Sequence, residues 1–398
     1  MYATFMNCLL SICLCLTLFS CSEKTQRTDR LFTVDIESGF SKEQGMNISE
    51  VADTVEYLEL KTPEDLIISR IWDVVQAEDC WLVRSISGIS KFTLDGEWIM
   101  QIGKKGQGPG EYISLHGFDY DPIHKEVLIA DWHQILFYDL NGNYLRNIKI
   151  EDEFFYNIAV SDTVFWTTAL GIHQEKYLAH AFNRHNDTLS VYLNPNYGIK
   201  IKNTDGVYFS HSRWEREFYH YNGNLYLKNR ISNDTVFRLD GVKKTPYMAF
   251  DMGKYKLPLE YEYWYSAEDN DRYGGNYWGI VSVAEDDRYV FFLAKRRGKH
   301  DFDDDDKRYL VYDKTTKTEF TVKGNHGKML EDDLLGGSAI WPRFITQDYY
   351  IWTCEWTELS EDVKKRLYPS LSPALAKQFE YFNYGTNELI ILCRKKKQ

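Results

Sequence analysis

The chain has no apolar run of the roughly 20 residues that a membrane-spanning helix requires. The longest, residues 8–19, stops at about a dozen. Proline is scarce, nine in 398 residues, and long polar tracts are few, which excludes a disordered chain. Basic residues are outnumbered, 47 against 59 acidic, for a net charge of −12. Phosphate binding needs clustered Lys and Arg, so nucleic acid is excluded as a partner. The short basic end Arg394-Lys395-Lys396-Lys397 reads as a solvated terminus. HExxH, GxSxG, GxxxxGK[ST] and EF-hand spacings are all missing. Beyond the first 21 residues only Cys80, Cys354 and Cys393 remain. Three widely spaced cysteines make neither a disulfide framework nor a CxxC metal site. They read as buried free thiols, with Cys354 and Cys393 the pair that could join.

What is present begins at the N-terminus. The apolar run has the length of a signal-peptide core. Its end, Leu18-Phe19-Ser20-Cys21, places a small residue directly before a cysteine and reads as a lipoprotein cleavage box. Residues 1–20 are then a signal peptide, and Cys21 becomes the acylated first residue. Two or more acyl chains anchor a protein stably. The expected location is the cell envelope, at the outer membrane, with the facing side undecided. Residues 21–50, mostly polar, read as a lipidated tether and lead segment.

Residues 51–398 repeat themselves. Phe92-Thr93-Leu94-Asp95-Gly96, Tyr138-Asp139-Leu140-Asn141-Gly142 and Phe237-Arg238-Leu239-Asp240-Gly241 are three copies of one pattern. Phe182-Asn183-Arg184-His185-Asn186 and Tyr312-Asp313-Lys314-Thr315-Thr316 are weaker ones. Asp-Gly and Asn-Gly between β-type runs mark tight hairpins, whose turns need positive φ. The turns fall at 96, 142, 186, 241 and 316, one stretched interval after three regular ones. Intervals of roughly 40–50 residues are those of four-stranded propeller blades. Five internal hairpins, plus a blade shared between the termini, predict an all-β six-bladed β-propeller. Val55–Leu60 and Leu389–Arg394 are the expected closing strands. One or two short helices are expected between Glu358 and Phe379, where the pattern turns helical and Pro369 and Pro373 interrupt it. Insertions at 261–277 and 301–306 account for the stretched interval.

After the first hairpin comes Ile102-Gly103-Lys104-Lys105-Gly106-Gln107-Gly108-Pro109-Gly110-Glu111-Tyr112. Pro109 followed by Gly110 suits the centre of a type II turn. With the preceding Leu-Asp-Gly hairpin and the later Ala130-Asp131, this segment resembles NHL-type repeats. It is more closely similar to the six-bladed β-propeller lipoproteins of Gram-negative bacteria. The resemblance spans residues 51–394 and is strongest over 51–150. It implies the fold and the envelope location, and it carries no catalytic set.

Candidate sites are few. Asp131 and His133 end an apolar strand and form a polar pair for a disc face. Asp131 also suits a turn that ties neighbouring blades. Asp301 with Asp303-Asp304-Asp305-Asp306 offers oxygen ligands to calcium, although a block of like charge is ordinarily a solvated loop. The aromatic insertion around Trp264, Tyr265, Tyr273 and Trp278 pairs flat rings with Asn, Asp and Arg. That combination suits a sugar or peptide surface. No metal or cofactor is implied by any motif. The expected function is binding or scaffolding for a glycan, a peptide or an outer-membrane partner. The alternative is a metal-assisted lyase or hydrolase of the NHL-like propeller type.

Overall fold

The computed structural model describes residues 31–149, 155–169, 175–185, 187–198, 216–229, 234–258, 275–296, 304–324, 328–359, 361–373, 376–377 and 387–397. Six sheets form the ring, each built on an antiparallel four-stranded blade. The first five blades are meanders within residues 73–102, 117–149, 157–193, 218–251 and 278–322. Each of the five expected hairpins joins the third and fourth strands of a blade. The repeated residue that precedes the turn has a defined task. The Asp139 carboxylate accepts the N–H groups of Asn141 at 2.8 Å and Asn143 at 2.9 Å. Asn183 holds His185 and Asp187 in the same way, and Asp313 holds Thr315 and Thr316. Such Asx turns replace a backbone partner with a side chain.

The sixth blade is closed by both ends of the chain. Ala52–Leu58 forms its outermost strand, antiparallel to Leu389–Lys395, with Ile390 opposite Leu58 and Cys393 opposite Val55. The inner strands are Phe344–Ile345 and Tyr349–Cys354. Between the second and third strands lie the helix Glu361–Leu367 and the 3-10 turns Trp356–Glu358 and Tyr368–Ser370. Closure leaves the ring without an open blade-to-blade edge.

Residues 32–50 correct the expected tether. Phe32–Asp35 pairs in parallel with the outer strand of blade 4, and Glu43–Gln44 pairs with the outer strand of blade 5. Between them the helix Ile36–Ser41 starts at Asp35, whose side chain accepts the Ser38 N–H at 2.9 Å. Val34, Ile36, Met46 and Ile48 are buried. Composition hid this strap because only one residue in two is apolar, which is what an edge strand needs. The compact unit therefore begins at Phe32.

The cysteines Cys80, Cys354 and Cys393 are free and buried. Cys354 lies opposite Leu389, while Cys393 lies opposite Tyr350. Four residues of offset is about 13 Å along a strand, and a disulfide needs Cα atoms within about 7 Å. Burial pushes the Cys393 thiol up to about 12. Among the described residues no helix is long and apolar enough to cross a membrane.

Candidate functional site

The first strand of every blade faces the axis of the ring. Together these strands enclose a cavity of about 410 Å³, walled by residues from all six blades. That volume lies in the range of small-molecule sites.

One end of the cavity is built around Asp73, the first residue of blade 1. Arg84 reaches its Oδ2 at 2.6 Å, and Arg216 stands 3.7 Å from Oδ1. Burial alone would raise the Asp73 carboxyl, but the guanidiniums of Arg84, Arg216 and Arg343 outweigh it and hold it below its ordinary 3.8. Arg343 donates to the carbonyls of Ile71 and Trp72, each at 3.0 Å. Arg216 donates to the Arg343 carbonyl at 3.2 Å and lies over the Phe344 ring, 4.5 Å from its centroid. Blades 1, 4 and 6 are thus tied at the axis.

His220 and Asp119 meet across the cavity, Nε2 to Oδ2 at 3.2 Å. Asp119 also accepts the backbone N–H groups of Tyr120 and Val160. Its carboxylate is nearly buried, whereas the His220 side chain is 53% exposed. Glu285 closes the wall at blade 5. It accepts the hydroxyls of Tyr219 at 2.9 Å and Tyr247 at 2.5 Å and pairs with Lys314. Burial raises the Glu285 carboxyl, with Lys314 and the two tyrosines opposing that shift.

The residues singled out from sequence fall elsewhere. Asp131 is buried and accepts the N–H groups of Ile113 at 3.1 Å and Ser114 at 2.8 Å, and the Gln134 amide at 2.8 Å. It ties the blade 1–2 crossover to blade 2. His133 is exposed beside it and is not brought to the cavity. Trp278 is 6% exposed and packs in the core between Phe40, Arg296 and Arg308. It offers no open ring face, because the blade 5 strand begins there rather than after it. Trp264, Tyr265 and Tyr273 lie outside the described residues, as do Cys21, Asp301 and Asp303. Asp305 pairs with Lys328 at 2.8 Å and Asp306 with Arg296 at 3.1 Å. Among the described residues no three His, Cys, Asp or Glu side chains converge on a common point for a metal.

The glycine segment is structural. Glu111 N–H meets the Gly108 carbonyl at 3.0 Å, and Gly110 has φ +72°, as a type II turn requires. The N–H of Gly108 is held by the Glu111 carboxylate at 2.8 Å. The N–H groups of Gly106 and Tyr112 likewise bond within the loop, to the carbonyls of Tyr112 and Lys104.

Sequence reasoning missed the axial residues. Their signal was faint: a charged residue at or just before an otherwise apolar innermost strand, as in Asp73-Val74-Val75, Arg216-Glu217-Phe218 and Arg343-Phe344.

Known structures share this architecture. A protein of Bacteroides fragilis described as exported matches at 16% identity with a TM-score of 0.61, over 92% of this chain and 100% of its own. A DUF4221 family member from Bacteroides vulgatus matches at 13% identity and a TM-score of 0.51, over 87% and 98%. At such identities the likeness is one of fold. No curated protein matches the sequence. The profile of one family, a domain of unknown function termed DUF4934, matches residues 31–390, and the chain belongs to that family.

Proposed function

We propose that this protein is a lipid-anchored propeller of the cell envelope that binds a small ligand, or the tip of a glycan or peptide, in its axial cavity. The observation that carries this reading is the cavity itself, sized for a small molecule and walled by all six blades. Three of its carboxylates are locked rather than poised. Asp73 is gripped by guanidiniums, Glu285 by Lys314 and two tyrosines, and Asp119 by two N–H groups and His220. Groups held this way fix a site's shape and charge, whereas a general acid or base must exchange its proton. Cys21 and the exported Bacteroides relative support the envelope location.

A lyase or hydrolase is the second reading, favoured by the exposed imidazole of His220 backed by Asp119. A panel of saccharides and short peptides separates the two. Binding predicts saturable thermal stabilisation with the compounds recovered intact. Turnover that His220→Gln abolishes would replace binding with catalysis. Cys21→Ala tests the anchor: the protein should leave the membrane fraction or accumulate as precursor, and unchanged acyl labelling would refute lipidation.

A further inference from the structure

The axial cavity is electrically lopsided. At its Asp73 end three guanidiniums share one carboxylate. The next carboxylate that acts on Arg216, that of Asp119, is already engaged by two backbone N–H groups and His220. A buried excess of positive charge is costly unless an anion meets it.

Arg216 is the guanidinium turned towards that need. Arg84 makes a direct hydrogen bond to Asp73, but the 3.7 Å separation of Arg216 from Asp73 is beyond hydrogen-bond reach. One of its Nη groups is spent on the Arg343 carbonyl. The guanidinium lies over the Phe344 ring, and the side chain keeps 21% of its surface, at the cavity wall. A planar, fixed, partly open guanidinium is suited to a carboxylate, which it meets with two parallel N–H bonds. Farther along the wall stand the amides Gln76, Asn157 and Gln347 beside His220, together with the carboxylates Glu78, Asp119, Glu285 and Asp348, which disfavour a second anion there. Amides both donate and accept, and so suit hydroxyl or peptide groups rather than a second charge.

We propose that the Arg216 end of the axial cavity binds the carboxylate of a small, hydrogen-bonding ligand. Two sources present that chemistry in a body of this size, a uronic acid residue of a glycan and the C-terminus of a short peptide. The inference rests on the axial cavity being the binding site.

Calorimetric titration of the full chain tests it with four probes: galacturonic acid and galactose, and N-acetyl-Ala-Ala and its C-terminal amide. At least one acid should bind saturably, about tenfold or more tighter than its neutral partner. Galacturonic acid alone would assign the source to glycan, and the dipeptide acid alone to peptide. Arg216→Gln should reduce the acid to the level of its neutral partner. Melting curves show whether that variant is folded. If it is not, Arg216→Lys, which keeps charge but loses the fork, should retain only part of the preference. No saturable binding by either acid, neutral probes binding as tightly as acids, or acid binding unchanged in the folded variant would overturn the proposal. If neutral probes bind and Gln347→Trp, which fills the cavity wall, abolishes that binding, the carboxylate assignment fails while the binding site stands. Binding that Gln347→Trp leaves intact removes both.

Discussion

Gly110→Ala should destabilise the protein well beyond the cost of its backbone conformation, and the excess can be isolated. Gly110 has φ +72°, where an L-residue costs about 1–2 kcal/mol. A Cβ there would also lie 2.6 Å from Tyr144 Cγ, 2.9 Å from its Cβ and 3.0 Å from Cδ2. Overpacking of this kind costs about 1–3 kcal/mol, so the two effects together come to about 2–5 kcal/mol. Gly241 supplies the control. It has φ +55°, yet an added Cβ would find nothing within 4 Å. Gly241→Ala should therefore show only the conformational part. Urea unfolding at unchanged slope gives both values. Tyr144→Ala in the Gly110→Ala background should recover part of the difference, since it removes the obstructing ring while its own Cβ, 2.9 Å away, stays. Equal losses in the two glycine variants, or no recovery, would refute the close packing of the blade 1–2 crossover against blade 2.

Other outcomes follow from the same structure. Deleting residues 389–398 removes the strand between Tyr349–Cys354 and Ala52–Leu58, leaving Ala52–Leu58 without its partner and Tyr349–Cys354 with only the short Phe344–Ile345 strand; aggregation or loss of cooperative melting is expected, and an unchanged melt would contradict closure by the termini. Trp278→Ala should cost about 3–5 kcal/mol, the range for emptying a buried tryptophan site, and a near-neutral effect on the thermal midpoint would return Trp278 to the surface. Because Asp73 is held below its ordinary 3.8 in the folded protein, its contribution to stability is complete above that pH and is lost as pH falls through the folded value. Asp73→Asn should accordingly flatten the acid side of the stability profile below about pH 4, as followed by melting temperature against pH; an acid limb as steep as that of the parent would rule out this ion pair.

The ring was legible because its signals are local. Leu-Asp-Gly and Leu-Asn-Gly turns at 96, 142 and 241 announce hairpins from a few adjacent residues, and the spacing does the rest. The strap at residues 32–44 was not legible, since Phe32 pairs with Met248 and Glu43 with Thr321, contacts that no local pattern encodes. The axial site failed for the same reason. Asp73 and Arg84 face each other in one hairpin, but Arg216 and Arg343 come from far along the sequence, and each alone looks like an ordinary surface charge. Trp278 misled in the opposite direction, since an aromatic cluster beside an insertion resembles a binding surface until the strand register buries its last member.

The central claim, that the axial cavity is where this protein binds, is tested most directly by a crystal structure obtained with galacturonic acid or N-acetyl-Ala-Ala, whichever raises the melting temperature more. The account predicts density within the ring, with the carboxylate against Arg216 and the remainder reaching towards His220. Density on the rim or on either disc face, with nothing between the six inner strands, would contradict it.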